Sequence, residues 1–253
     1  MRIADCGWRI GVAAVMSALG PALAPAQSLA QRVADAPDGV VRFAFAARPG
    51  VTGDGAGNIR RSDDDRHPAP CDTGPVRVTL TVRDGTVRAA DVTVGADRSE
   101  DGTDLGRVPP AEATRYLLAL ARSAPERVGR EAVLAAALTD SVTVWPDLLA
   151  LARDAAIARE TRRAAVFWVG QAAEQAATRG LAELADRSDT DREVQEAAVF
   201  ALSQRPADEG VPALIRLART HRHPEIRRRA MFWLGQSGDP RALAFFEELL
   251  AGS

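Results

Sequence analysis

The sequence predicts a mainly α-helical protein, an α-solenoid of about four helix pairs preceded by a small antiparallel β-sheet. Two observations predict this fold class. In the second half of the chain, a thirteen-residue segment recurs in three copies at offsets of 33 and 32 residues, and units with such periods stack into solenoids. In the first half, alternating apolar and polar runs are joined through Asp84-Gly85, which is a strong hairpin signal.

The composition fits this fold class and excludes several kinds of chemistry. The chain has 253 residues, of which 46% are hydrophobic, and a formal net charge of −2. This content is sufficient for a packed core in one or two domains. All 32 basic residues are Arg, so mechanisms that need a lysine, such as Schiff-base formation, are excluded. The near-zero charge argues against a nucleic-acid-binding protein, which would be basic.

Residues 1–26 predict a secretory signal peptide. A charged start is followed by an apolar run over 10–19, and small residues precede a predicted cleavage between Ala26 and Gln27. The apolar run is too short to span about 30 Å of hydrocarbon. We therefore predict an exported protein, periplasmic or extracellular, with no stable membrane insertion after the signal is removed.

Residues 27–108 are predicted to form a β-rich region. Apolar residues alternate with other residues over 41–47 and 76–82, and the alternation resumes after the Asp-Gly turn. A shift of this alternation at 89–91 predicts a bulge. An isolated hairpin is only marginally stable, so we expect two or three antiparallel strands that pack on the following helices.

The β-rich region carries few residues with candidate chemistry. Its acidic loops, such as 63–65, lack a complete set of Ca²⁺ ligands at the required spacing. Solvated turns are therefore the prediction, with Ca²⁺ binding as the alternative. Cys71 is the only cysteine after the signal peptide, which excludes an intramolecular disulfide and predicts a packed or free thiol. We predict no cofactor and no metal.

Residues 109–253 are predicted to form the helical array. The recurring first helices read RETRRAAVFWVGQ from Arg159, REVQEAAVFALSQ from Arg192 and PEIRRRAMFWLGQ from Pro224. An Ala/Leu-rich second helix follows each of them, and one further pair precedes them. The predicted pairs cover about 126–154, 159–187, 192–219 and 224–250. A helix near Tyr116 is predicted to cap the start of the array.

The recurring first helices carry an apolar stripe and an aromatic position outside it. The stripe has Ala in the middle of each copy, at Ala165, Ala198 and Ala230, which permits close helix packing. A Phe recurs off the stripe, and stacking against neighbouring repeats is predicted to bury it. The three positions are Phe167, Phe200 and Phe232. Three tryptophans are predicted to pack in the core or between repeats, with exposed interface anchors as the alternative: Trp145, Trp168 and Trp233.

The recurring helix, its closing Leu-Gly-Gln at 234–236 and the Gly238-Asp239-Pro240 turn resemble short HEAT repeats. Within these, the pattern is most similar to the HEAT-like subtype first recognised in phycobilisome lyases. The resemblance covers 126–250 and implies an armadillo-type solenoid that serves as a binding scaffold. The resemblance also suggests bilin lyase activity as a possibility. The chain offers no identifiable pocket chemistry for it, and the predicted export does not provide a suitable setting.

Two first helices carry the candidate partner-binding residues. Their arginines are Arg162, Arg163, Arg227, Arg228 and Arg229. Stacking would align these side chains into a basic ridge suited to carboxylate or phosphate groups of a partner. The alternative is a solvated face paired with Glu160, Glu196 and Glu225. His221-Arg222-His223 is predicted to be an exposed turn rather than a metal site, because no third ligand lies in register.

The sequence therefore predicts a non-catalytic, exported scaffold that binds another protein. No catalytic constellation can be assembled from its residues, and the G-x-S-x-G motif of serine hydrolases is absent. The alternative is an enzyme or sensor whose site lies at the junction of the β-rich region and the solenoid. A deep pocket there holding Cys71, His67 or clustered Asp residues would favour that alternative.

Overall fold

The computed structural model describes residues 27–53, 59–61, 74–95 and 101–251. Within these ranges, the chain forms one short helix, six strands and then nine helices. The predicted signal peptide up to Ala26, the acidic residues 63–65, His67 and Cys71 lie outside the described residues. The predicted fold class, a helical solenoid after an N-terminal sheet, is confirmed.

A four-stranded sheet and a two-stranded sheet form the β-rich region. The larger sheet has the order β5-β4-β1-β6, and β2 pairs with β3 in the smaller one. The helix α1 (Leu29–Ala34) precedes both. The strands are β1 (Gly39–Phe45), β2 (Val51–Gly53), β3 (Ile59–Arg61), β4 (Val76–Arg83), β5 (Thr86–Val94) and β6 (Thr103–Arg107).

The prediction of a purely antiparallel sheet is wrong at one edge. β6 pairs parallel with β1, which makes the four-stranded sheet mixed. The strand has the sequence TDLGR and is largely exposed, so it has no apolar alternation that could have revealed it. The bulge also lies slightly earlier than predicted. Thr81 pairs with Ala89 and Val82 with Val87, which leaves Arg88 as the extra residue.

Nine helices follow the sheet among the described residues, and the last eight of them alternate between two rows. They are α2 (Pro110–Ser123), α3 (Glu126–Ala137), α4 (Trp145–Arg153), α5 (Arg159–Gly170), α6 (Gln175–Asp186), α7 (Arg192–Ser203), α8 (Ala207–Thr220), α9 (Pro224–Gln236) and α10 (Pro240–Ala251). The first helices α3, α5, α7 and α9 pack against one another in order, and so do the second helices α4, α6, α8 and α10. This two-row stacking is the arrangement of a solenoid.

Small residues set the distance between neighbouring first helices. Ala165, Ala198 and Ala230 are fully buried in the middle of the apolar stripe. Gly170 near the end of α5 faces Ala201 of α7, and a Cβ added at Gly170 would stand 3.0 Å from the Cβ of Ala201. The first helices therefore approach closely at positions that larger side chains would keep apart.

The sheet covers the first end of the helical array. Phe43 of β1, Leu80 of β4 and Leu117 of α2 belong to the same buried apolar core, and α3 packs against β5. Tyr116 of α2 meets Phe43 edge-on, with 6.0 Å between ring centroids. Burial raises the pKa of Tyr116 to about 12, so the phenol stays protonated at neutral pH.

None of the described helices has the length and apolar character needed to cross a bilayer.

Acidification is expected to weaken the start of α10. The Oδ1 atom of Asp239 accepts hydrogen bonds from the backbone N–H of Arg241 at 2.8 Å and from its Nε at 2.9 Å. These two bonds lower the pKa of Asp239 from 3.8 to about 2, and the bond from the guanidinium has the larger effect. The stabilisation by Asp239 is therefore complete above its unfolded pKa of 3.8 and is lost as the pH falls through about 2.

An NMR titration of the Asp239 carboxyl checks this prediction, and the variant Asp239→Asn is its control. The acid side of the stability profile should be flatter for Asp239→Asn than for the wild type. A native-state midpoint at the ordinary value of 3.8 would contradict the prediction.

Candidate functional site

The three recurring phenylalanines form an exposed row across α5, α7 and α9. Phe167 is 46% exposed, Phe200 is 37% exposed and Phe232 is 52% exposed. The prediction that stacking buries them is therefore wrong. Neighbouring repeats cover the Ala-centred stripe, while the Phe position points away from both the stripe and the second helices. We call these three side chains the Phe row.

Two tryptophans pack against the phenylalanine rings of the Phe row. The ring of Phe167 meets Trp168 edge-on with 5.3 Å between centroids. Trp233 contacts both Phe200 and Phe232, in each case with 5.0 Å between centroids. Both tryptophans are half-buried against the core, so they hold the exposed rings in position. The Nε1 atom of Trp233 is buried without a hydrogen-bond partner among the described residues.

A groove of about 610 Å³ runs beside the Phe row. Its apolar floor includes Phe167, Phe200 and Trp233, and charged residues form its rim. Two of the lining arginines form ion pairs within the groove, Arg163 with Glu160 at 2.9 Å and Arg229 with Glu196 at 2.7 Å. The lining residue Glu193 pairs with Arg159 at 3.3 Å. Exposed ion pairs of this kind contribute little to stability, so a partner's charges can replace them at low cost.

The sheet determines where the Phe row begins. One repeat before Phe167, the same position of α3 holds Leu134, which is half-buried against the core. Next to it, burial raises the pKa of Glu131, and Asp91 of β5 adds to this effect. Because β5 covers this side of α3, the exposed aromatic surface is confined to the last three first helices.

The predicted basic ridge does not form one surface, because Arg162 and Arg227 turn toward the loops between repeats. Arg162 is only 5% exposed. Its Nε donates to the Ile157 carbonyl at 3.0 Å, and its Nη2 donates to Asp191. Arg227 donates through Nη1 to the His221 carbonyl at 2.7 Å. Arg162 therefore cannot contact a partner as part of an exposed ridge.

The other three predicted arginines remain at the surface but are interleaved with carboxylates. Arg163 and Arg229 line the rim of the groove in the ion pairs described above. Arg228 is highly exposed and lies 3.5 Å from Glu225. This face carries alternating charges, as the alternative interpretation of the arginines predicted.

The stacking geometry can now be placed beside known families. Comparison with protein-family models matches residues 178–253 to HEAT repeats. Residues 178–253 therefore contain HEAT repeats. The match begins inside α6 and includes α7 to α10, while α3, α4 and α5 precede it and stack in the same way. A comparison with curated proteins finds no match.

The turn between the third and fourth HEAT helix pairs is buried at His221. The prediction of an exposed histidine is wrong here, since His221 is 1% exposed. Its Nδ1 accepts the backbone N–H of His223 at 3.1 Å, which places the proton of the neutral ring on Nε2, 3.1 Å from the Ala185 carbonyl oxygen. No group of His, Cys, Asp and Glu residues suited to a metal ion occurs in the part of the chain that the structure describes.

Sequence reasoning missed Arg205, which hydrogen-bonds extensively between two repeats. It follows α7, and its side chain is 3% exposed. Its guanidinium binds side chains and carbonyls at the junction of α5, α6 and α8. Arg205 has no counterpart in the other copies of the repeat, so periodicity gave no signal for it.

A second cavity, of about 430 Å³, lies where the β-rich region meets the helical array. It is lined by Arg48 after β1, by the loop 139–144 between α3 and α4, by Trp145 and Trp168, and by Glu174. Ser141 in this loop has a left-handed backbone with φ of 56°, and Ala47 forms a β-bridge with Thr139. Of the residues expected to mark an enzymatic site here, Cys71 and His67 lie outside the described residues.

Proposed function

We propose that the chain is a non-catalytic HEAT-repeat scaffold that binds another protein along the Phe row. HEAT repeats commonly mediate protein–protein interaction, which supports a protein partner in general. The single observation that carries it further is the exposure of Phe167, Phe200 and Phe232 at one repeat position. Three aromatic side chains exposed in register are far more than the isolated apolar residues of an ordinary surface.

The energetics of the Phe row favour a protein partner. Aromatic side chains and arginines are enriched at protein interfaces, where they supply much of the binding energy. Here the rings are held by Trp168 and Trp233, so little conformational entropy remains to be lost on binding.

The charge of the groove argues against nucleic acid as the partner. Two of the three arginines that line the groove are paired with glutamates, Arg163 with Glu160 and Arg229 with Glu196. A phosphate backbone would need unpaired basic side chains in excess. The paired rim instead suits a protein surface that carries charges of both signs.

The lining of the groove supports a non-catalytic role. The pattern of residues 1–26 separately supports export. Among the described residues, the groove is lined by Arg, Glu, Ala, Phe and Trp side chains, which include no nucleophile next to a base. The pattern of residues 1–26 favours export to the periplasm or beyond, with cleavage after Ala26. The finer resemblance to the phycobilisome-lyase subtype stays a prediction.

Removing the Phe row should abolish partner binding without unfolding the array. We expect the triple variant Phe167→Ala/Phe200→Ala/Phe232→Ala to bind its partner at least about 100-fold more weakly, because each aromatic anchor contributes about 1–2 kcal/mol or more. The measurement is affinity capture from the cell-envelope fraction, followed by titration of the captured protein. Far-UV circular dichroism should be unchanged, since all three rings are exposed.

The matched control is Arg179→Ala/Arg216→Ala, which alters a groove between α6 and α8 on the other row of helices. This control should retain every partner that the wild type captures. Partners that bind the triple Phe variant as well as the wild type would refute the proposed surface.

The alternative function, an enzyme or sensor, is favoured by the cavity at the junction of the sheet and the array. Asp140 and Glu174 bring two carboxyl groups to its lining. A small molecule that binds the wild type but not Asp140→Ala would support this alternative. Under the scaffold proposal, Asp140→Ala leaves partner capture unchanged.

A further inference from the structure

The groove beside the Phe row contains a hydrogen-bond donor that the described chain leaves unused. Trp233 of α9 lines the groove, and its Nε1 atom is buried with no hydrogen-bond partner among the described residues. An indole N–H can only donate, and a buried donor without an acceptor costs free energy. A bound segment that brings an acceptor to Trp233 would therefore gain a hydrogen bond.

The groove also contains one arginine without an ion pair. Arg163 and Arg229 are paired with Glu160 and Glu196. Arg130 of α3, the third arginine of the lining, forms no ion pair with any residue that the structure describes. It lies at the end of the groove nearest the sheet, because α3 packs against β5. A carboxylate of the partner can therefore be recognised at this end.

The aromatic part of the lining forms two groups that are one first helix apart. Phe167 of α5 is the first group, and Phe200 of α7 with Trp233 of α9 is the second, with 5.0 Å between their centroids. Packed helices lie about 8–10 Å apart. A polyproline II helix returns to the same face every three residues, or about 9 Å, so its successive turns match the two groups. An extended strand returns every two residues, or about 7 Å, and does not match them.

The unused donor distinguishes a polyproline II segment from an α-helix, whose side chains also recur at about 10 Å over two turns. The carbonyls of an α-helix are bonded within the helix, whereas those of a polyproline II segment have no internal partner. Proline residues also suit this lining, because they have no N–H that needs an acceptor. The lining carboxylates Glu160 and Glu196 are already paired and offer few acceptors.

We propose that the groove binds a proline-rich segment of the partner in the polyproline II conformation, with an acidic residue at one end. This inference rests on the proposed function, whose binding surface it uses. One proline packs on Phe167, and a proline three residues away packs on Phe200 and Trp233. The Trp233 N–H donates to a main-chain carbonyl of the segment, once a neighbouring exposed phenylalanine ring rotates and uncovers it. The acidic residue pairs with Arg130.

Fluorescence anisotropy of labelled synthetic peptides on the purified protein tests this proposal. The first probe repeats Pro-Ala-Ala and carries an Asp three residues from the terminal proline, and it is made with the Asp at either end so that both chain directions are sampled. We expect saturable binding of one of these two peptides. The same peptide with alanine in place of proline, and an amphipathic helical peptide of leucine and glutamate, should each bind at least about 10-fold more weakly.

Removing the indole N–H tests the donor. Trp233→Phe keeps an aromatic ring in the groove and should weaken the binding of the proline-rich peptide about 10-fold, the effect of losing one hydrogen bond. The matched control is Trp168→Phe, which makes the same change at a tryptophan that packs on the Phe row but does not line the groove. The control should keep the affinity within about 2-fold of the wild type. Circular dichroism should be the same for all three proteins.

Charge reversal at Arg130 tests the acidic end of the segment. Arg130→Glu should weaken the binding of the acidic peptide at least about 3-fold and should favour a peptide in which arginine replaces the Asp. An unchanged peptide preference of Arg130→Glu would overturn the proposal, as would wild-type affinity of Trp233→Phe for the proline-rich peptide.

The peptide comparison can also overturn the proposal without affecting the proposed function. Tighter binding of the helical peptide, or no saturable binding of the proline-rich peptides up to about 1 mM, would each overturn it. If capture of the partner still depends on the Phe row in either case, only the identity of the bound segment is wrong. Partner capture that is independent of the Phe row would instead refute the proposed function.

Discussion

Replacing Arg205 by Ala is expected to lower the free energy of unfolding by about 3–5 kcal/mol, the loss typical of breaking a buried ion pair from one side. The guanidinium joins three helices at a largely buried site. Its Nε donates to Thr178 Oγ1 at 2.8 Å, and Nη2 donates to Glu209 at 3.0 Å. The remaining donors bind the carbonyls of Gly170, Ala172 and Glu174.

The size of this effect follows from the buried polar groups that lose their partner when Arg205 is removed. Without Arg205, three backbone carbonyls lose a donor inside the structure, and unsatisfied buried polar groups are costly. The carboxylate of Glu209 also loses its cation. The hydroxyl of Thr178 and then Arg205 lower the pKa of Glu209, so this group stays charged rather than becoming neutral.

Urea denaturation followed by far-UV circular dichroism measures the loss. Arg205→Lys should recover little of it, because an ammonium group cannot reach five acceptors in the fork geometry of a guanidinium. The matched control is Arg187→Ala, which removes an exposed pair with Asp189 at 2.5 Å and should change the free energy by less than about 1 kcal/mol. Equal effects of Arg205→Ala and Arg187→Ala would refute the structural role of Arg205.

The helical array was predictable from the sequence because the same pattern of buried positions recurs in several copies. Ala165, Ala198 and Ala230 report the same packing position three times, so the period and the buried stripe could be recognised together. The edge strand β6 could not be predicted in this way. It is largely exposed on both sides and is held by backbone hydrogen bonds to β1, which leave no trace in side-chain pattern.

The surface of the array was less predictable because it depends on how successive repeats are turned relative to one another. The recurrence of Phe at 167, 200 and 232 identified a special position, but its exposure is decided by that rotation. Arg205 illustrates a second limit. It acts at a single boundary between repeats, and its partners come from 170–209, so neither periodicity nor local spacing identifies it.

Arg162 and Arg163 provide the second large prediction, because two adjacent arginines on one helix have opposite environments. Successive side chains of a helix are separated by about 100°. Arg162 is therefore turned into the array, where it binds the Ile157 carbonyl and Asp191, while Arg163 faces solvent beside Glu160. Arg162→Ala should lower the free energy of unfolding by about 2–4 kcal/mol, and Arg163→Ala by less than about 0.5 kcal/mol.

Urea denaturation of the two variants, with native-state hydrogen exchange across the loop before α5, measures this difference. Loss of Arg162 should accelerate exchange at this loop, since its carbonyl loses the donor that fixes it. Gln195 occupies the same position in α7, and its Nε2 donates to the Arg187 carbonyl at 2.7 Å. Because an amide makes the same kind of bond there, the position serves loop attachment in both repeats. A loss for Arg162→Ala as small as that for Arg163→Ala would contradict the buried position of Arg162.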